Sequence, residues 1–251
     1  MVLEKKIYFA SDAHLGAPTI KDARAHEQRF VRWLDSIKNS AREVYLVGDI
    51  FDFWFEYKKA VPKGHTRFLG KLCELTDAGI PVHFFTGNHD IWVFDYLPAE
   101  TGVIVHYKPL ITEIDGKKFL IAHGDGLTPY EKSYNRLKSV FTNPFAQWLF
   151  RHIHPDLGIW IATFWSRKSR EKNQNSDGAV FKGEDKEWLV LWAKEQLNKT
   201  HYDYFIFGHR HVVKDLALNN TTRFIYLGDW VKHFSYGEWD GSGFELKFFK
   251  E

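Results

Sequence analysis

Six short apolar runs, each about one strand long and spaced between stretches of helical pattern, constrain the fold most. They occupy residues 6–10, 43–47, 82–86, 118–122, 204–207 and 224–227. Several are nearly continuous in β-branched and aromatic residues, the pattern of strands covered on both faces. Between them, Phe30, Leu34 and Ile37 form one helical stripe, Leu69, Leu72 and Cys73 a second, and Trp188, Leu191 and Trp192 a third. This alternation predicts an α/β sandwich-like domain. Asn219–Asn220 predicts a hairpin turn within a strand-rich C-terminal part. With 251 residues, 44% hydrophobic and 26% charged, the chain is long enough for one large domain with an insertion.

The rhythm breaks between Asp125 and about Glu184, where no strand is expected. Phe141, Phe145, Trp148 and Leu149 lie at i, i+4, i+7 and i+8, and Leu157, Trp160, Ile161, Phe164 and Trp165 repeat the spacing. Two amphipathic helices are expected, the second opened by Pro155. The cations Arg167, Lys168, Arg170 and Lys172 follow. We read residues 131–184 as a helical cap or lid inserted in a single domain spanning 1–251.

Composition narrows the partners. A net charge of +2 gives no electrostatic case for nucleic acid. No segment reaches the roughly 20 apolar residues that span a bilayer, and no signal-peptide pattern opens the chain. One cysteine, Cys73, leaves no internal disulfide and fits a reducing cytoplasm. Aromatic residues make up 17% of the chain, with 10 Trp and 22 Phe. Two readings stay open for them: an aromatic core, or an amphipathic surface for lipid.

Five motifs stand immediately after five of the predicted strands. They are Asp12-Ala-His14, Gly48-Asp49, Gly87-Asn88-His89-Asp90, His123-Gly124-Asp125 and Gly208-His209-Arg210-His211. In open α/β sheets the carboxyl ends of the strands face one crevice, so these side chains are expected to converge. Residues i and i+2 of an extended segment point the same way, which pairs Asp12 with His14 and His209 with His211. Imidazoles and carboxylates without thiolates suit Mn²⁺, Fe²⁺ or Zn²⁺. Seven candidate ligands, Asp12, His14, Asp49, Asn88, His123, His209 and His211, exceed one tetrahedral site and suit two ions, with Asp49 as the natural bridge. Such a pair attracts a phosphate, acidifies a water and stabilises the attacking and departing oxygens. Any one motif alone recurs by chance; the ordered set at successive strand ends is what carries the reading.

As a set, these motifs, with Gly48-Asp49-x-x-Asp52, resemble the calcineurin-like metallophosphoesterase family. The resemblance implies a four-layered α/β/β/α sandwich and two divalent metal ions, usually Mn²⁺. It implies one ion held by Asp12, His14, Asp49 and His211 and another by Asp49, Asn88, His123 and His209. Asp52, Asp90 and Asp125 would orient these ligands. His89, beside Asn88 and Asp49, would protonate the leaving group or steady the transition state.

The chain also resembles one branch of that family, the UDP-2,3-diacylglucosamine hydrolases of lipid A synthesis. The likeness runs through Ser11-Asp12-Ala13-His14-Leu15-Gly16, Gly48-Asp49-Ile50-Phe51-Asp52, Tyr134 and a helical segment ending at 166–175. It implies attack of water on the α-phosphorus, releasing UMP and 2,3-diacylglucosamine 1-phosphate. It also places Glu131, Tyr134, Arg167, Lys168, Ser169 and Lys172 near the substrate. One departure is visible: His89 stands where that branch carries Arg. A lipid-linked sugar nucleotide would use both the apolar helices and the cations that follow them. It would put the protein in the cytoplasm, peripherally on the inner leaflet of the inner membrane. No nucleic acid and no obligate protein partner is expected. The alternatives are a broader phosphodiesterase or nucleotide pyrophosphatase of the same fold, a nuclease of the wider family, and a non-catalytic protein-binding scaffold.

Overall fold

The computed structural model describes residues 5–174 and 180–250, with 165–174 as backbone only. All six predicted runs are strands. β1 (Lys6–Ala10), β2 (Ala41–Val47), β3 (Val82–Phe85) and the short β4 (Ile104–His106) lie parallel and consecutive. β5 (Leu110–Ile114) and β6 (Lys117–Ala122) form an antiparallel pair, and β6, β7 (Tyr204–Phe207) and β9 (Arg223–Leu227) run parallel. β8 (Val213–Ala217) returns antiparallel to β9 around the predicted Asn219–Asn220 turn. There Asn219 Oδ1 accepts the Thr221 and Thr222 N–H groups. β10 (Ser235–Trp239) and β11 (Phe244–Phe248) close the first sheet on the other side of β1. Two mixed sheets result, ordered β11-β10-β1-β2-β3-β4 and β5-β6-β7-β9-β8.

The period-2 alternation of each strand assigns its side chains to two different cores. Tyr8, Val44, Leu46, Val82 and Phe84 pack with Phe30, Trp33 and Leu34 of α1 (Ala23–Ile37) and with Phe68 and Leu72 of α2 (Thr66–Asp77). Their neighbours Ile7, Phe9, Tyr45, Val47 and Phe85 turn the other way, onto Phe119, Ile121, Ile206, Ile225 and Leu227 of the second sheet. The far face of that sheet carries Leu120, Ala122, Phe205, Phe207, Phe224 and Tyr226. These pack on Leu189, Val190 and Ala193 of α7 (Trp188–Leu197). This differs from the predicted stripe: Trp188 is exposed, because the side of α7 against the sheet is set by residues 189, 190 and 193. On α2 the buried apolar residues are Phe68, Leu72 and Leu75, whereas Leu69 and Cys73 are half-buried.

Between Asp125 and Glu184 there is no strand among the described residues, and three helices stand where two were expected. α4 (Lys132–Phe141) ends at Phe141; α5 (Pro144–Arg151) and α6 (Pro155–Gln174) follow, after the short α3 (Tyr96–Thr101) earlier in the chain. Phe141 therefore does not share a helix with Phe145. Asn143 is the N-cap of α5, accepting the Phe145 and Ala146 N–H groups, and Pro144 at its first position has no N–H to continue α4. Pro155 opens α6 as predicted.

A fully buried Leu or Phe contributes about 1.5–3 kcal/mol, and α4 and α5 contain no fully buried residue. α5 and α6 attach instead through a small aromatic cluster, where Phe53, Phe55 and Tyr57 meet Trp92, Phe150, Ile159 and Ala162, and α4 is held at its end by Trp92, whose Nε1 donates to the Phe141 carbonyl at 2.9 Å. Gly158 lies so close to Tyr57 that a Cβ there would sit 2.2 Å from its hydroxyl oxygen. The opposite faces carry Phe145, Trp148, Leu149, Leu157, Trp160 and Phe164, all about half exposed or more.

Candidate metal centre

The parallel strands β1, β2 and β3 of one sheet and β6, β7 and β9 of the other end at the same place, and the turns that follow them are stitched together. Asp12 N–H donates to the Gly48 carbonyl at 3.0 Å and His14 N–H to that of Asp49 at 2.9 Å. Across the sheets, His209 N–H donates to Asp12 Oδ2 at 2.9 Å, and His123 Nδ1 lies 2.9 Å from the Val47 carbonyl. A carbonyl only accepts, so His123 carries its proton on Nδ1, leaving the Nε2 lone pair for another partner.

Convergence arises differently from the extended i, i+2 pairing expected from sequence. Asp12, His14, Asp49, His209 and His211 all hold left-handed backbones, with φ of +55°, +46°, +53°, +67° and +52°. Each such residue costs of order 1–3 kcal/mol and persists only where surroundings enforce it. Five of the eight described non-glycine residues with positive φ are these candidate ligands, so backbone strain is concentrated here.

Three groups of side chains could each hold an ion: Asp12, His14 and His211; His14, Asp49 and His89; and Asp49, His123 and His209. Within each, the ligand atoms lie within 4.8 Å of one another. Asp49 joins the groups: its Oδ2 is 3.9 Å from His14 Nε2 and 3.3 Å from His123 Nε2. His211 Nε2 is 3.4 Å from Asp12 Oδ1 and 3.2 Å from His14 Nε2. Asp12 Oδ1, Asn88 Oδ1 and His123 Nε2 are buried without a hydrogen-bond partner. Buried polar atoms of this kind normally have one.

The electrostatics match. Burial raises the Asp12 carboxyl above its ordinary range despite the His211 and His123 imidazoles beside it. Burial pushes Asp49 the same way, but the charges of His123, His89 and His14 overturn that and hold it well below. Burial, then the neighbouring His123, lowers His209 to about 3, so its imidazole is neutral and available as a ligand. An acid short of counter-charge at Asp12, a neutral imidazole at His209 and unpartnered buried atoms on Asp12, Asn88 and His123 fit divalent cations with nitrogen and oxygen ligands.

The surrounding residues fix these groups. Asp90 is fully buried and accepts N–H groups from Gly87 at 2.7 Å, Ile50 at 2.8 Å and both Asp49 and Phe51 at 3.3 Å. Burial, then the Asp49 charge, raises its carboxyl to about 7. Asp49 Oδ1 accepts the His89 N–H at 2.8 Å. His89 Nδ1 lies 2.9 Å from the Asp52 carbonyl, which assigns the proton to Nδ1 and leaves Nε2 as the position for a second one. Asp125 Oδ2 accepts from the Tyr134 hydroxyl and from Lys138 Nζ, both at 2.6 Å, tying α4 to the His123-Gly124-Asp125 turn. Tyr134, expected near the substrate, thus has its hydroxyl engaged with Asp125. Glu131 sits at the N-cap position of α4 and accepts from Thr128 Oγ1 at 3.1 Å. Arg167, Lys168, Ser169 and Lys172 fall on the α6 backbone, but their side chains lie outside the described residues.

One residue at the centre escaped the sequence reading. Asp229, buried, lies 3.6 Å from His211 Nδ1 and 2.8 Å from His233 Nδ1, and accepts the N–H groups of Val231, Lys232 and His233. The signal was present: Gly228-Asp229 follows β9 as Gly48-Asp49 follows β2.

The profile of the calcineurin-like phosphoesterases matches residues 5–213. The chain belongs to that family. A UDP-2,3-diacylglucosamine hydrolase of Porphyromonas gingivalis is 41% identical over 98% of this chain and 98% of its own. One from Shewanella halifaxensis is 27% identical over 89% of this chain and 90% of its own. Among solved structures, an archaeal phosphodiesterase covers 97% of this chain and 99% of its own at 13% identity, with a TM-score of 0.49.

In this calcineurin-like phosphoesterase the Asp49 turn has no spare room: a Cβ on Gly87 would lie 2.2 Å from Asp49 Oδ1 and 2.7 Å from its backbone nitrogen. Gly87→Ala is expected to displace the Asp49 carboxylate and weaken Mn²⁺ binding at least about tenfold, with about 1–3 kcal/mol lost from stability. Calorimetric Mn²⁺ titration and thermal melting check both effects; unchanged Mn²⁺ affinity contradicts the crowding at Asp49.

Proposed function

We propose that this protein is a dinuclear-metal UDP-2,3-diacylglucosamine hydrolase, cleaving the pyrophosphate to UMP and 2,3-diacylglucosamine 1-phosphate. The observation that carries the substrate is the Porphyromonas gingivalis relative of that name, 41% identical over 98% of this chain and 98% of its own. We read the chain as one four-layered α/β/β/α domain, with residues 131–184 as its cap. Asp12, His14, Asp49 and His211 hold one ion; Asp49, Asn88, His123 and His209 hold the other; the donor set suits Mn²⁺, Fe²⁺ or Zn²⁺ alike, and the family resemblance favours Mn²⁺. When bound, the ions polarise phosphoryl oxygens and lower the pKa of a water.

The chain's own residues do the rest. Asp49 is held in place by the His89 N–H and by Asp90 through the turn. His89 donates Nδ1–H to Asp52 and presents Nε2 as the proton donor to the departing phosphate oxygen. Glu131 and Tyr134 border the substrate from α4, and Arg167, Lys168, Ser169 and Lys172 meet its phosphates from α6. The acyl chains lie along the exposed aromatic face of α5 and α6, where Phe145 stacks on Trp148 and Trp160 on Phe164. This face supports lipid over core completion, since its large apolar side chains remain exposed. No helix among the described residues is long and apolar enough to cross a membrane. We place the protein in the cytoplasm, peripherally on the inner membrane, taking a lipid-linked substrate without an obligate protein or nucleic-acid partner.

The Mn²⁺-loaded protein should release UMP rapidly from UDP-2,3-diacylglucosamine and slowly from the deacylated sugar nucleotide or an aryl phosphodiester. Equal or faster cleavage of the soluble esters contradicts the lipid substrate and favours a broader phosphodiesterase. Separately, His89→Ala is expected to retain metal while slowing turnover by about 10²–10⁴-fold. Metal analysis beside steady-state kinetics tests this, and loss of bound metal would make His89 structural.

A further inference from the structure

The Gly208-His209-Arg210-His211 loop places a long cation between two candidate ligands that belong to different clusters. His209 stands with Asp49 and His123, and His211 with Asp12 and His14. Both flank Arg210 in left-handed conformations, and Arg210 N–H turns back to the Gly208 carbonyl at 2.7 Å. A bend of this kind, in residues other than glycine, requires an external anchor.

The anchor is Glu187, a carboxylate only 3% exposed at the head of α7. Arg210 Nε donates to Glu187 Oε2 and Nη2 to Oε1, each at 3.0 Å, the parallel two-bond geometry that a guanidinium fork provides and an ammonium does not. Glu187 is itself fixed by the Tyr226 hydroxyl at 3.2 Å, from β9, and by the Lys182 N–H at 3.1 Å. The guanidinium therefore ties the loop after β7 to α7 and to β9 at once. Burial raises the Glu187 carboxyl, but the hydrogen bonds from Arg210 and the Lys182 N–H and the Arg210 charge outweigh it and hold the group below its ordinary range.

We propose that the Arg210–Glu187 pair is a positioning device for both metal subsites, holding His209 and His211 in their ligating directions through the one residue between them. This rests on the dinuclear reading above. Neither side chain is a ligand; they act through the imidazoles on either side of Arg210.

The test is Mn²⁺ titration of the full chain by calorimetry, for the wild type, Arg210→Gln, Arg210→Lys, Glu187→Gln and the double variant Glu187→Gln/Arg210→Gln. Far-UV circular dichroism and melting of the metal-free proteins accompany it. The wild type should bind two ions, and each Gln variant should weaken both subsites by about 10–100-fold, the range for residues that orient metal ligands. The double variant should be no worse than the weaker single one, since the two act as a unit. Arg210→Lys, which keeps the charge without the fork, should recover only part of the loss. Should a single variant fail to fold because it leaves a buried charge unpaired, the double variant, which has neither charge, carries the comparison. Affinities within about twofold of the wild type in the folded variants, even with a lowered metal-free melting temperature, overturn the proposal and leave the pair merely structural. A wild type that binds fewer than two ions overturns the dinuclear reading itself.

Discussion

Asp90 is wholly buried, and its carboxylate accepts backbone N–H groups from Gly87, Asp49, Ile50 and Phe51. Two chain segments that leave adjacent parallel strands are thereby bound to one buried carboxyl group, and the rest of the centre follows from their fixed separation. Asp49 takes a left-handed backbone there, its Oδ1 receives the His89 N–H, and its Oδ2 is left between His14 and His123. A carboxyl group receiving several backbone donors in a dry environment is a geometrically specific anchor. It converts the loose requirement that loops meet at a strand end into one position for the carboxylate shared between the clusters.

Two sheets are needed to assemble the three clusters. Each sheet contributes three parallel strand ends, and neither set alone assembles every cluster. The first brings Asp12, His14, Asp49 and His89; the second brings His123, His209, His211 and Asp229. The face-to-face packing of Phe9, Val47 and Phe85 on Phe119, Ile121 and Ile225 holds the two sets within ligand distance. Core packing and metal chemistry are thus coupled: rigid, interlocked apolar layers fix the distances on which polar groups at their rim depend. The Arg210–Glu187 pair, with Glu187 buried and Arg210 half-buried, adds a polar strut on the outer side of the second sheet.

Much of this was legible in the residues. The six apolar runs were readable as strands because burial on both faces leaves an unbroken apolar signature, and the motif after each run marked where the chain turns toward the site. The strands that were missed lack that signature. β4 has three residues, β5 interrupts its apolar residues with the polar pair Thr112-Glu113 at a sheet edge, and β10 carries Gly237 and Glu238 between aromatics. α4 is mostly polar and fully buries nothing, so helical periodicity had little to detect. The left-handed conformations at Asp12, His14, His209 and His211 were not readable either. Such backbones usually announce themselves through glycine, and here side-chain chemistry occupies positions that sterics alone would give to glycine. Asp229 shows the converse: its Gly-Asp signal was in plain view, but no second ligand type stood beside it to draw attention.

The shared position of Asp49 is tested most directly by electron paramagnetic resonance of the protein loaded with two equivalents of Mn²⁺. Ions joined through one carboxylate are predicted to give the dense multiline spectrum of an exchange-coupled pair, which Asp49→Ala converts to the signal of uncoupled ions. A wild-type spectrum showing only the hyperfine sextet of isolated Mn²⁺ at full loading would contradict a bridged centre.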